Sequence, residues 1–481
     1  MSIYYLSNNG FNKKSYLTIL VGIKFMNKKI TVIIVLLLFL TIESLVVDAY
    51  SEKNILFTKN LENFDMIIIA PSVYNSSLKP LVEHKNNHNI ITKFVSLNDI
   101  YIGTYFSVQG RDDQEKIKYF IKNAVENWDI SYVLLVGSSN QIPVRFCYNY
   151  DNYSAYPEYK FISELYYADI YDSEHNFSSW DSNENDIFGE WTDEVAEDGP
   201  IDLKPDISLG RLACVNKKEV SVMVKKIINY EKQPADDSWF KKMIVVGGDT
   251  YKQFEGYEGE IYNQLALDEM SDFQPVKLWA STKTLFKRGK NIIKAINQGA
   301  GFIYFSGHGS KRLWQTNYPN GSWTGRFTPF SMLFLFNKNK QPVCIVEGCH
   351  NSEFTIKSNY KLNALCYPFS IQTKINGCWS WILTSKKYGG SIATIGPTGL
   401  CWYSAEYPGG GTNNLSLQFF KEYANDTDIL GNLWKNAINV YLDNYLINWE
   451  TPAGSPSSLD AKTVQEWVLL GDPSLKIGGY N

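Results

Sequence analysis

Short runs in this 481-residue chain are apolar at successive positions rather than at every second one, and this limits the fold more than any other feature: DMIIIAP, SYVLLVGSSN, KMIVVGG, GFIYFSGHG and PVCIVEGC. A strand with one wet face alternates, whereas a strand covered on both faces is apolar throughout, as in a parallel sheet with helices on either side. Between these runs lie stretches of helical period. The one that follows Asp112 opens with acidic residues and sets Ile117, Phe120, Ile121, Ala124 and Val125 on one stripe. The pattern predicts an α/β fold.

The order of elements recurs. KMIVVGG, GEIYNQLALDEM, VKLWAS, KNIIKAINQG and GFIYFSGHG follow one another as strand and helix, and YVLLVGSS aligns with FIYFSGHG, Gly137 against Gly307 and Ser138 against His308. Two parallel-sheet-based α/β subdomains side by side are therefore expected, over residues 50–235 and 236–481, with an insertion-rich junction from about Cys147 to Asn216. In open parallel sheets chemistry collects at the carboxyl ends of strands. His308 and Gly309 follow one such run and Cys349 follows the next.

A thiol is intrinsically nucleophilic once deprotonated, and an imidazole beside it supplies or accepts the proton, so Cys349 and His308 at neighbouring strand ends point to acyl transfer. With no side chain at Gly309, its N–H can approach a reacting carbonyl and, with the N–H of Cys349, stabilise an oxyanion. Cys344, inside its strand, reads as core. Cys349 and His350 are adjacent, a spacing that zinc sites do not use. In DSNENDIFGE, Asp181, Asn183 and Asn185 alternate as in a calcium loop, while Asp186 stands at the glycine position and Thr192 at the closing carboxylate position. A structural calcium and a solvated acidic loop both remain open there, and no other cofactor is required.

With 46 basic and 50 acidic residues the net charge is −4, which offers no basic surface for a nucleic-acid partner. Residues 1–49 read as upstream sequence followed by a signal peptide or anchor that starts at Met26: two lysines, an apolar stretch from Ile30 to Ile42, and Val47 and Ala49 before Tyr50. A secreted or cell-surface location follows, with membrane anchoring through that segment as the alternative to its cleavage. Seven cysteines are an odd number, so at least one thiol is unpaired within the chain.

At these residues the sequence resembles the gingipain-type cysteine peptidases, in the wider group that includes caspases, legumain and clostripain. That group has an apolar strand ending in His-Gly and a later one ending in the nucleophilic Cys, as FIYFSGHG and VCIVEGC do here; GHGSKRLW, GCHNSEF, PDISLGRL, GRDDQEKIKYFI, LLVGSSNQIPVR and LLGDPSLKI also look like family signatures. The resemblance covers roughly residues 60 to 478. It implies that Cys349 attacks the scissile carbonyl, that His308 protonates the leaving amine, and that the Gly309 and Cys349 N–H groups form the oxyanion hole. It also implies that Asp206, in KPDISLGR, orients the histidine, and that Trp402, in GGSIATIGPTGLCWYSAEY, covers the substrate's P1 side chain.

The expected function is that of an exported cysteine endopeptidase acting on proteins or peptides through a Cys349 thioester. Two alternatives keep the same fold: a catalytically latent cell-surface binding or assembly protein, and a transpeptidase in which an amine rather than water resolves the thioester.

Overall fold

Each unbroken apolar run becomes a strand covered on both sides. The computed structural model describes residues 63–151, 157–233, 235–251, 256–355, 361–366, 369–374, 377–403 and 409–480, so the Met26 signal or anchor lies outside the described residues. In chain order the strands are β1 (Met66–Ala70), β2 (Thr92–Ser96), β3 (Tyr132–Val136), β4 (Arg145–Asn149), β5 (Phe161–Ser163), β6 (Phe188–Trp191), β7 (Ser208–Leu212), β8 (Lys242–Gly247), β9 (Gln274–Trp279) and β10 (Phe302–Ser306). They continue with β11 (His308–Ser310), β12 (Leu313–Asn317), β13 (Trp323–Phe327), β14 (Val343–Glu347), β15 (Lys361–Cys366), β16 (Phe369–Lys374), β17 (Ala393–Pro397) and β18 (Trp467–Leu470).

Two of the sheets carry the architecture. The first runs β2-β1-β3-β7 and is parallel throughout; the second runs β18-β17-β14-β10-β8-β9 and is parallel except for β18, which pairs antiparallel with β17. The protein is therefore α/β, built on two parallel-based sheets, as the apolar runs predicted. Every residue of β1, β10 and β14 is buried, and each large apolar side chain so buried contributes about 1.5–3 kcal/mol.

The helix Asp113–Trp128 shows why such elements form where they do. Asp112 caps it by accepting the Glu115 N–H at 2.8 Å, Asp129 ends it in the left-handed region at φ 58°, and Ile117, Phe120, Ile121 and Ala124 are buried. β7, inside the stretch read as a junction, returns to the first sheet as its edge strand beside β3. Other segments of that stretch contribute to the small sheet β5-β4-β6. Late in the chain, the helix Leu430–Asn444 packs on β7, so the C-terminal segment comes back to the first sheet. Among the described residues no helix is long and apolar enough to cross a membrane.

Candidate active site at the strand exits

β10 and β14 are parallel neighbours in register, Phe302 against Val343 through Ser306 against Glu347. Each strand then takes one glycine and presents its reactive residue, His308 after Gly307 and Cys349 after Gly348, so both emerge from the same edge of the sheet. The two strand exits touch: a Cβ on Gly309 would lie 2.4 Å from the carbonyl carbon of Gly348, an approach that the missing side chain of Gly309 allows. Side chains lock the contact. Asn351 Nδ2 donates to the carbonyls of Ser310 (2.6 Å) and Leu313 (3.0 Å), which ties the loop after β14 to the β11–β12 hairpin. Trp314 Nε1 and the Gly307 N–H both reach the Glu347 carbonyl, each at 3.3 Å.

His308 is held from a third strand. Its Nε2 lies 2.7 Å from the carbonyl of Thr250, which follows the exit of β8, the other neighbour of β10. A carbonyl only accepts, so Nε2 carries the hydrogen of this bond. The rings of Trp323 and Tyr251 stand nearly perpendicular to the imidazole, at 5.5 and 6.4 Å. Glu258 accepts the Thr250 N–H at 3.0 Å and so steadies the carbonyl that steadies His308.

Cys349 meets a second thiol. Its Sγ is 3.8 Å from Cys401 Sγ and 3.9 Å from the Cys401 carbonyl. The Cys401 hydrogen bond pulls the Cys349 thiol below its ordinary range despite burial, and the positive His350 and Lys462 act the same way. Cys401 is pushed the other way, by donating to Cys349 and by burial. Burial disfavours the charged form of His350, but Glu353 at 3.0 Å from Nδ1 and the charge of Glu158 prevail and raise its pKa.

The loop that carries Cys401 and Trp402 is anchored by buried charges. Lys462 Nζ sits 2.8 Å from Asp151 and 2.9 Å from Glu158; Glu158 also accepts the Leu400 N–H at 2.8 Å. Trp402 Nε1 donates to Asp151 at 2.5 Å, which fixes the partly exposed indole next to Cys401.

Asp206 is not brought to His308. It precedes β7 in the first sheet, at the amino end of its strand, and its carboxylate accepts the N–H groups of Ile170 (2.6 Å) and Tyr171 (3.0 Å). It is a turn-fixing acid, because strand exits, not strand starts, converge here. The acid that precedes Thr250, the residue His308 is bonded to, is Asp249, which sequence reasoning did not single out. It is fully buried, follows β8, and its backbone pairs with Asn317 of the hairpin. KMIVVGGDT ends in glycines and then a reactive residue just as GFIYFSGH and PVCIVEGC do, and that shared punctuation was the available signal.

The groups of the calcium-like loop are engaged locally. Asp181 takes Arg111 Nη1 at 2.6 Å and the Asn185 N–H at 3.0 Å, Asn183 accepts the Asn185 N–H at 3.1 Å, and Asn185 accepts the Ile187 N–H at 2.8 Å. Among the described residues no group of three or more His, Cys, Asp or Glu side chains is arranged to hold a metal ion. Cys344 is fully buried within β14.

A sequence model of peptidase family C25 matches residues 59–478. Gingipain R2 of Porphyromonas gingivalis (strain W83) is 22% identical over 431 residues, which cover 86% of this chain and 46% of that protein. Gingipain R1 of the same species is 22% identical over 428 residues, 86% of this chain and 34% of the relative. The chain thus spans less than half the length of these curated relatives. Among solved structures, that of the Arg-specific cysteine proteinase gingipain R (RgpB) superposes with a TM-score of 0.59 at 19% identity, covering 87% of this chain and 79% of that one. A complex of the P. gingivalis RgpB pro- and mature domains superposes with a TM-score of 0.58 at 20% identity, covering 86% and 79%. At such identities the superpositions show a shared fold.

Proposed function

The chain belongs to peptidase family C25, and from that membership and the convergence of its strand exits we propose that it is an exported cysteine endopeptidase that cleaves peptide bonds through a Cys349 thioester. The observation that carries this reading is the β10–β14 register, which delivers His308 and Cys349 to one edge with Gly309 and Gly348 in backbone contact.

In the proposed reaction Cys349 Sγ gives its proton to His308 Nδ1 and attacks the scissile carbonyl carbon, and the carbonyl π pair moves onto oxygen. The N–H groups of Gly309 and Cys349 stabilise that oxyanion. Collapse re-forms the carbonyl and expels the amine, which takes the proton from His308 Nδ1. Water, deprotonated by the same nitrogen, then hydrolyses the thioester and returns the thiol. The Thr250 carbonyl keeps the tautomer that this exchange needs, and Asp249, buried one residue earlier, is the acid proposed for the orienting role in place of Asp206. Trp402, pinned by Asp151, is the wall for the P1 side chain. Calcium bound by Asp181, Asn183 and Asn185 remains an independent proposal; it would require Asp181 to release Arg111, and calcium titration by calorimetry tests it.

The test is intact-protein mass spectrometry after exposure to peptidyl acyloxymethyl ketones with Arg, Lys, Asp, Asn or Leu at P1. A single adduct on Cys349 that requires His308, together with loss of all peptide hydrolysis in Cys349→Ala, is expected. Unchanged turnover in Cys349→Ala would overturn the mechanism.

A further inference from the structure

Cys401 is not needed for the reaction just described, yet its sulfur is 3.8 Å from the nucleophile. Two features set this pair apart from packing. Among the described cysteines, Cys147, Cys214, Cys344 and Cys378 are buried, as small apolar residues of a core are, whereas Cys349 and Cys401 are both partly exposed at the strand exits. The backbones that carry them are also held side by side. β14 and β17 are parallel neighbours, and after the end of β14 the His350 N–H donates to the Gly399 carbonyl at 2.8 Å and the Ser352 N–H to the carbonyl of Pro397, the last residue of β17, at 2.9 Å. A disulfide has its sulfurs about 2.05 Å apart, so closing this pair takes a displacement of under about 2 Å.

We propose that Cys349 and Cys401 are a peroxide-responsive thiol pair, in which Cys401 resolves oxidised Cys349 to a disulfide that blocks the site until a dithiol reduces it. The oxidant is a hydroperoxide. The Cys349 thiolate attacks its terminal oxygen, the O–O bond breaks, and Cys349 becomes a sulfenic acid while the peroxide leaves as water or alcohol. Cys401 sulfur then attacks Cys349 sulfur; the S–S bond forms, the S–O bond breaks, and the hydroxide leaves as water with the Cys401 proton. Two thiols supply the two electrons that reduce one peroxide. Reduction by thiol–disulfide exchange restores both. The disulfide itself rests on the geometry of the pair, and its effect on activity rests on Cys349 being the nucleophile.

The experiment treats the full chain with a small molar excess of hydrogen peroxide, more than the two equivalents that formation of a sulfinic acid consumes, then alkylates and maps it without reduction. The expected product is a peptide linking Cys349 to Cys401 and a protein lighter by 2 Da, with loss of acyloxymethyl ketone labelling that dithiothreitol restores. In Cys401→Ser and Cys401→Ala, each compared with its own untreated sample, Cys349 instead gains 32 Da as the sulfinic acid, and dithiothreitol restores nothing. Wild-type protein that accumulates the 32 Da adduct without the linked peptide overturns the proposal. A linked peptide in a protein that hydrolyses no peptide bond supports the pair and counts against the peptidase reading, so the two failures are told apart.

Discussion

His308 Nε2 and the Thr250 carbonyl lie 2.7 Å apart, which joins the exit of β10 to the exit of β8 across two adjacent strands. The bond commits Nε2 of the ring to the Thr250 carbonyl. It also makes the segment from Asp249 to Tyr251 part of the site.

Asp249 and Asp206 should separate cleanly in mutagenesis. Asp249→Asn keeps the side-chain volume and is expected to lower kcat roughly 10–100-fold, as loss of an orienting carboxylate does, and to move the acid limb of the pH–rate profile. Asp206→Ala strips two amide partners from the turn at Ile170 and Tyr171, costing about 1–3 kcal/mol in urea unfolding with kcat/KM close to the parent value. Equal activity losses in both variants would sink the assignment.

Gly309→Ala tests the backbone contact. Its Cβ would lie 2.4 Å from the Gly348 carbonyl carbon, so the two strand exits must part. Overpacking of this kind costs about 1–3 kcal/mol, and the parting moves one proposed oxyanion donor away from the nucleophile. The expected result is a fall in kcat of about 10²–10³-fold, with thermal unfolding shifted only modestly. Full activity in this variant would show that Gly309 takes no part in transition-state stabilisation.

Glu347, at the end of β14, gives a pH signature. Burial raises its pKa to about 7, and its carboxyl sits against Tyr304 and, at 2.6 Å, the Ser306 hydroxyl. The folded state therefore holds a proton that the unfolded chain, with the ordinary glutamate value of 4.5, has already lost. The associated stability is complete below pH 4.5 and is lost as pH rises through about 7. Glu347→Gln, neutral at every pH, should match the parent near pH 4 and exceed it at pH 8 by up to ~3 kcal/mol in denaturant unfolding. A constant difference between the two proteins from pH 4 to 8 would refute the shift.

Much of the site could be read before any fold was known, and the part that could not has one cause. His308, Gly309 and Cys349 announce themselves because glycine punctuation after an apolar strand is a local pattern. Cys401 carries no such mark: it is 52 residues from Cys349 and becomes its neighbour only because β17 lies beside β14. Asp206 misled for the converse reason, since DISLGR looks like a site strand but belongs to the other sheet and offers its acid at the amino end.

By itself the sequence determined that buried parallel strands would form, because runs apolar at every position can be desolvated only between two covering layers, and it determined which residues would stand at their ends. Strand order was decided by tertiary structure alone. Each crossover helix can set its strand down on either side of a growing sheet at similar local cost, so adjacency is settled by how all the layers pack together, and adjacency is what placed Thr250 against His308 and Cys401 against Cys349.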